Sequence, residues 1–129
     1  MNRESFDIVI TSNSPGELYS LVRPAVRALS LHIPEARIIL VITPCQYASG
    51  REIEVARSFP EIYEVVFPHE FKKWMFRDIP PKGLAFSKKG AVLFMGGDLM
   101  NGVMLSKKLG FPACAYTMNR LGWAKEYNK

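Results

Sequence analysis

The chain has 129 residues, of which 48% are hydrophobic and 22% are charged, and its mean hydropathy is close to zero at +0.01. This length fits one domain with its own core, and the composition is that of a globular protein, which excludes a disordered or membrane-spanning chain. The net charge of +5 and the pI of about 9.4 favour an anionic partner, without choosing between nucleic acid, anionic lipid and a phosphorylated sugar.

Targeting segments and metal-ligand patterns are not evident in the sequence. No apolar run reaches the ~20 residues of a transmembrane helix, and the N-terminus has no signal-peptide pattern, so we expect a cytoplasmic protein. Cys45 and Cys114 are isolated, and we expect free thiols, with Cys114 buried in a strand and Cys45 in a loop. His32 and His69 have no partners at ligand spacing, so we expect no metal ion and no other cofactor.

The first strand is predicted over residues 6–11, and a polar segment, residues 12–17, follows it. Ser14 and Glu17 have the spacing of a capping box, which predicts a helix with apolar positions at helical spacing from Leu18 to about His32. Pro24 falls inside this pattern and indicates either a kink or a late start of the helix.

The remaining elements continue the alternation of strand and helix patterns. In chain order, they are a strand at 36–43, a helix from the 49–52 capping pattern to Phe59, a strand at 63–67, a helix at 69–77, a strand at 91–95, a helix at 101–109 closed by Gly110, and a strand at 112–117.

This alternation predicts βαβ units with right-handed crossovers. We therefore expect a single Rossmann-like α/β domain with a parallel five-stranded sheet, in the order 3-2-1-4-5, and helices on both faces. In that order the first and fourth strands are neighbours at the topological switch point. The loops after them, residues 12–17 and 96–101, then face one crevice at the carboxyl edge of the sheet.

Asp98 is the first candidate for a working residue, because it is a carboxylate at the end of an apolar strand. The alternative is that Gly96, Gly97 and Asp98 only turn the chain into the next helix. The first loop lacks both the Gly-x-Gly-x-x-Gly pattern and the P-loop pattern, and Glu17 would repel a pyrophosphate at the helix start. A hydroxyl-rich ligand suits this loop better, although Ser14 and Glu17 could serve only as helix caps.

The segment 69–77 mixes bulky apolar side chains with cations. As a helix it would place the apolar side chains on one face with the cations flanking them: Phe71, Trp74 and Met75, and Lys72, Lys73 and Arg77. This pattern is typical of contact with an anionic membrane surface. The alternative is that the apolar face packs on the sheet, since every crossover helix needs an apolar stripe.

Several short segments resemble the lipid-A-disaccharide synthase family. Residues 14–19, Ser-Pro-Gly-Glu-Leu-Tyr, resemble the Ser-Gly-Asp-Leu-Tyr segment after that family's first strand, and Gly96-Gly97-Asp98 with Asn101 resembles the Gly-x-Asp segment after its fourth strand. Tyr116 with Trp123-Ala124 resembles the family's Tyr…Trp-Ala-Trp run. Residues 44–52 resemble a loop of divergent relatives of the synthase.

The resemblance implies the N-terminal, acceptor-binding domain of a GT-B glycosyltransferase. These inverting enzymes of lipid A biosynthesis transfer a sugar from UDP to a lipid-linked sugar at the inner membrane face. By this resemblance Asp98 would be the general base that takes the proton of the acceptor hydroxyl. Residues that would bind the acceptor are Ser12, Asn13, Ser14, Gly16, Glu17, Gly96, Gly97 and Asn101. The segment 69–77 lies where the family places its membrane-contacting helices, which implies peripheral attachment to the membrane.

The sequence also departs from the family. Asn13 stands where the family has an acidic residue, and Pro15-Gly16-Glu17 replaces Ser-Gly-Asp, so the acceptor need not be the lipid A precursor. The donor-binding C-terminal domain is absent from residues 1–129. We therefore expect a UDP-sugar to bind through a missing second domain, and the chain to be inactive alone.

Two other functions remain open from the residues alone. One is a stand-alone nucleotide or sugar-phosphate binding module of flavodoxin-like architecture, with its ligand over the first loop. The other is a nucleic-acid-binding domain, suggested by the net charge of +5. No recognised nucleic-acid motif supports it, and we expect no nucleic-acid partner.

Overall fold

The computed structural model describes residues 5–13, 18–44, 51–96 and 98–116, with the backbone alone for Tyr19, Glu52 and Ile53. Its elements are, in chain order, β1 (Phe6–Ser12), a π-helical turn (Leu18–Val22), α1 (Arg23–His32), β2 (Ala36–Ile42), α2 (Arg51–Arg57), β3 (Ile62–Val66), α3 (Pro68–Arg77), β4 (Lys89–Phe94), α4 (Leu99–Leu109) and β5 (Ala113–Ala115).

All neighbouring strands of the sheet are parallel, and their order is β3-β2-β1-β4-β5. The predicted fold class, an α/β Rossmann-like domain with a five-stranded parallel sheet, is therefore confirmed. The flavodoxin-like architecture of the alternative is wrong, because flavodoxin-like sheets have the order 2-1-3-4-5.

The sheet is covered on both faces because its central strands are apolar on both sides. Ile8 and Ile10 of β1 pack in a core with the π-helical turn, α1 and α2. Val9, between them, packs in a second core that includes Phe71 of α3 and Leu105 of α4. Two helical layers thus enclose the sheet, and its carboxyl edge carries the connections to the helices.

The helix after the first loop begins later than the apolar pattern does. Residues Leu18–Val22 form a π-helical turn, and the α-helix starts at Arg23 with Pro24 in its first turn. Proline has no N–H to donate to the preceding turn, and the first turn of a helix needs no such donor. Of the two interpretations of Pro24, the structure supports the late start.

The second half of the chain differs from the prediction mainly in element lengths. The strand β5 has only three residues, and Cys114 within it is half-buried rather than buried, because β5 is an edge strand. Gly110 ends α4 in the left-handed conformation, at φ 71°, as the sequence predicts. Cys45 lies outside the described residues.

Candidate functional site

Asn13 and Asp98 follow two neighbouring parallel strands. Thr11 of β1 pairs with Phe94 of β4, and the Met95 N–H donates to the Thr11 carbonyl at 3.1 Å, so pairing persists to the point where both strands end. Both loops therefore leave the sheet at its carboxyl edge, side by side. The predicted crevice between the two loops requires that they lie side by side in this way.

Asp98 is the N-cap of α4. Its Oδ1 accepts a hydrogen bond from the Met100 N–H at 2.9 Å, and its side chain is exposed. The helix-capping role of Asp98 therefore occupies only Oδ1. Within the described part of the chain, Oδ2 accepts no hydrogen bond. The cap fixes the orientation of the carboxylate and leaves one oxygen able to take a proton from a ligand.

The other predicted residues of the two loops divide into two groups. Gly96 is buried beyond β4, Asn101 is half-buried in the first turn of α4, and Asn13 is half-buried beyond β1. The remaining ones lie outside the described residues: Ser14, Gly16, Glu17 and Gly97. The predicted capping box of Ser14 and Glu17 lies there too.

Two buried hydroxyl groups lie at the end of β1. Ser12 and Thr11 are both fully buried, and among the described residues neither side-chain oxygen has a hydrogen-bond partner. The Ser12 carbonyl, in contrast, accepts a bond from the Thr43 N–H at 2.9 Å. Ser12 is a predicted site residue, whereas Thr11 is not. The sequence signal that could have indicated Thr11 is the Thr-Ser pair at the end of an apolar strand. Hydroxyl groups buried in such a position normally have a hydrogen-bond partner.

The aromatic residues of α3 are core residues. Phe71 and Trp74 are only 2% and 4% exposed, and the Trp74 ring stacks on Phe86 at 5.0 Å between centroids. Met75 is half-buried and packs against the same core. Phe71 and Trp74 are therefore too buried to contact a membrane, and they cover the sheet as the alternative for this segment predicts.

The cations predicted to contact a membrane lie on the other side of α3. Lys72, Lys73 and Arg77 are exposed, and Phe76 is exposed among them. These cations therefore lie apart from the buried aromatic side chains with which the sequence pattern grouped them, and their contact with a membrane stays a prediction.

A polar network that no sequence pattern predicts lies at the opposite, amino edge of the sheet. Asp7 of β1 is fully buried and accepts two hydrogen bonds from Arg37 of β2, from Nε at 2.7 Å and from Nη2 at 2.9 Å. Ser87 donates two more, from its N–H at 2.7 Å and its hydroxyl at 3.0 Å. The sequence signal for this network is that Asp7 and Arg37 are each the second residue of an apolar strand. In the sheet the two are register partners.

The network holds Asp7 in its charged form. Burial alone would raise the pKa of Asp7, but the hydrogen bonds from Arg37 and Ser87 and the charge of Arg37 outweigh it and lower the pKa below its ordinary value. The hydrogen bond to Asp7 raises the pKa of Arg37, whose guanidinium also lies 4.7 Å from the Tyr63 ring centroid. All these bonds are internal, so Asp7 is a structural carboxylate rather than a candidate base.

Comparison of the chain with protein-family models, with curated proteins and with solved structures gave no match in any of the three. Within the described ranges, no three His, Cys, Asp or Glu side chains cluster as a metal site would require. The helices of the same ranges are too short or too polar to cross a bilayer. The site is therefore defined by the fold and by the two loops at its switch point.

Proposed function

We propose that the chain is the acceptor-binding domain of a glycosyltransferase that resembles the lipid-A-disaccharide synthases. The acceptor, a lipid-linked sugar, binds at the carboxyl edge between the loops that follow β1 and β4. The observation that carries this proposal is the direct pairing of these two strands, which brings Asn13 and Asp98 to the same edge.

Asp98 is the general base in this proposal. Its Oδ1 is held by the Met100 N–H, and its Oδ2 takes the proton of the acceptor hydroxyl. The acceptor oxygen forms the new glycosidic bond to the anomeric carbon of the donor sugar. The bond from that carbon to UDP breaks, and the electron pair leaves with UDP. The donor site belongs to a second domain outside these 129 residues.

Polar groups that follow β1 and β4 suit a ligand rich in hydroxyl groups. Ser12 and Thr11 carry buried hydroxyls at the end of β1, and the half-buried side chains of Asn13, beyond β1, and Asn101, in the first turn of α4, carry amides. A lipid-linked acceptor is a component of a membrane, so the domain works as a peripheral protein at the cytoplasmic face.

Equilibrium binding tests the proposal. A lipid-linked sugar in detergent micelles should bind to the chain, and Asn13→Ala should weaken that binding about tenfold, the effect of one or two hydrogen bonds to a bound ligand. A UDP-sugar should not bind measurably to the chain alone. Binding of a UDP-sugar, or of a flavin or free nucleotide in preference to the lipid-linked sugar, would overturn the proposal.

Two aspartate variants form a matched pair for the catalytic role. Asp98→Asn keeps a side-chain oxygen for the Met100 N–H but cannot take a proton. It should preserve acceptor binding and lower sugar transfer by at least about a hundredfold once the donor-binding domain is supplied. Asp78→Asn changes an exposed aspartate after α3 that forms an ion pair with Lys108, and it should leave transfer unchanged.

A further inference from the structure

A groove lies between α3 and the segment that follows it, residues 78–84, which we call the return segment. The groove has a volume of about 290 Å³. Its apolar wall is formed by Ile79, Pro80 and Pro81 of the return segment, and its α3 side includes Lys73. None of the described residues of the acceptor crevice lines it, so the groove is a separate feature of the surface.

Two turns fix the shape of the return segment. Asp78 adopts the left-handed conformation, at φ 56° and ψ 34°, and the Ile79 N–H donates to the Lys73 carbonyl at 3.2 Å, which turns the chain back at the end of α3. Gly83, at φ 77°, lies in the second turn. The two prolines between these turns fix their own φ angles. The groove is therefore formed before a partner binds, and binding does not have to order this segment.

The apolar wall of the groove is partly open to water. Ile79 is 50% exposed and belongs to neither of the two cores, and Pro80 is exposed as well. A branched apolar side chain left in water loses the free energy that its burial would supply. Apolar side chains held in a rigid concave surface are typical of sites that bury an apolar group of a partner.

Polar groups beside this wall have unused bonding capacity. Lys73 and Lys82 line the groove, both are exposed, and neither forms an ion pair with a described residue. Glu70 also lines the groove and is half-buried. Its Oε1 accepts the Phe67 N–H at 3.1 Å, whereas Oε2 accepts no hydrogen bond from the described residues. The groove thus offers an apolar surface, two cations and one carboxylate oxygen that can accept an N–H.

We propose that this groove binds a segment of a partner protein in which acidic residues flank a bulky apolar side chain. The apolar side chain packs against Ile79 and Pro80, and the neighbouring carboxylates pair with Lys73 and Lys82. A backbone N–H of the segment donates to Glu70 Oε2. At about 290 Å³ the open groove lies below the ~300–1,000 Å³ of pockets that enclose a small molecule, which disfavours such a ligand. A nucleic acid is disfavoured because the Glu70 carboxylate would repel its phosphates.

Fluorescence anisotropy with a labelled peptide tests the proposal. The probe is a fluorescein-labelled peptide of the sequence Glu-Glu-Trp-Glu-Glu. One comparison peptide has serine in place of the tryptophan, and the other has lysine in place of every glutamate. The chain should bind the probe saturably and should bind each comparison peptide at least about tenfold more weakly. Absence of saturable binding, or equal binding of the three peptides, would contradict the proposal.

Variants of the chain locate the binding. Ile79→Ser should weaken binding of the probe about fivefold, because it removes the exposed half of an apolar side chain from the contact. Replacing Lys73 and Lys82 together by glutamine should weaken it about tenfold, from about threefold for each exposed ion pair. The charge-matched control replaces Lys72 and Lys107 by glutamine. Both are exposed and neither lines the groove, so at physiological salt the control should bind the probe as the parent does.

The variants also separate a groove from a general effect of charge. All of them change exposed side chains, so each should keep the circular dichroism spectrum of the parent. An equal loss of binding in the control, or an Ile79→Ser variant that binds as well as the parent, would refute a contact in the groove. Displacement of the probe by a single-stranded oligonucleotide that itself fails to bind the double lysine variant would refute a protein partner and indicate a polyanion site. The probe carries no sugar, so none of these results bears on the proposed acceptor crevice.

Discussion

Replacing Arg37 by methionine removes the only cation that the structure places against the buried Asp7 carboxylate within the described residues. Methionine keeps much of the arginine stem and its packing, so the change acts on charge and hydrogen bonds. Two of the four hydrogen bonds to Asp7 disappear, and the two from Ser87 remain.

The magnitude follows from those contacts. Removing one partner of a buried ion pair costs about 3–5 kcal/mol, because the remaining charge stays buried without its partner. The Arg37 side chain is 26% exposed and Ser87 still donates to Asp7, so we expect the lower end, a loss of about 3 kcal/mol in the free energy of unfolding. This is a large part of the 5–15 kcal/mol that is typical of a whole domain.

The loss in free energy of unfolding should depend on pH, and it should be larger at neutral than at acidic pH. The folded-state pKa of Asp7 is lowered from its ordinary value of 3.8, so the pair stabilises the protein above that pH. Its contribution is lost as the pH falls through the lowered pKa. The difference between the parent and Arg37→Met should therefore be full near neutral pH and should shrink below about pH 4.

Urea denaturation, followed by circular dichroism at neutral and acidic pH, measures this difference. Arg27→Met is the control, since Arg27 is exposed on α1 and forms no ion pair with the described residues. A change below about 0.5 kcal/mol in Arg37→Met would refute the reasoning, because surface substitutions reach that size. A larger loss that persists at acidic pH would equally refute it.

Three further predictions concern glycines and the helix cap. In Gly90→Ala the new Cβ would lie 2.5 Å from Phe111 Cε2 and closer still to the backbone of β1, so unfolding by urea should show a loss of about 3 kcal/mol; a loss below about 1 kcal/mol would contradict it. Gly110→Ala meets no atom but must hold a φ of 71°, so thermal unfolding should show a loss of about 1 kcal/mol and a smaller one for Gly110→Asn; equal losses would exclude backbone strain as the cause. Asp98→Ala should cost about 1 kcal/mol of unfolding free energy and Asp98→Asn almost nothing, and the reverse order would show that Asp98 does not cap α4.

The sheet could be predicted from sequence because its strands and helices have different periods. Residues 38–42 form an unbroken apolar run within β2, and alternation with helices then dictates parallel pairing. The end of a strand is less well determined. Of the predicted strand at 112–117, the described part, up to Tyr116, is a strand only over Ala113–Ala115, at the edge of the sheet where pairing is on one side alone.

The apolar stripe of α3 illustrates a second limit. Helical periodicity correctly groups Phe71 with Trp74, but the same stripe fits a sheet and a membrane equally well. Only the packing of Trp74 against Phe86 decides between them. Phe76, which is not part of that stripe, is exposed.

Contacts between distant segments are the third limit. Asp7 and Arg37 are 30 residues apart and Ser87 is 80 residues from Asp7, so no local pattern joins them. Their meeting depends on strand register, which is a property of the folded sheet. For the candidate site, sequence placed Asp98 after its strand, but its capping bond to the Met100 N–H required coordinates.

The most direct test of the account is to map where a lipid-linked sugar binds. Chemical shifts of the isotope-labelled chain would be followed during titration with the sugar lipid in micelles, with empty micelles as reference. We expect changes at the carboxyl edge, at Ser12, Asn13, Asp98 and Asn101, and none at the amino edge, at Asp7 or Ser87. Changes confined to the amino edge, or the same changes on adding a UDP-sugar, would contradict the assignment of an acceptor crevice.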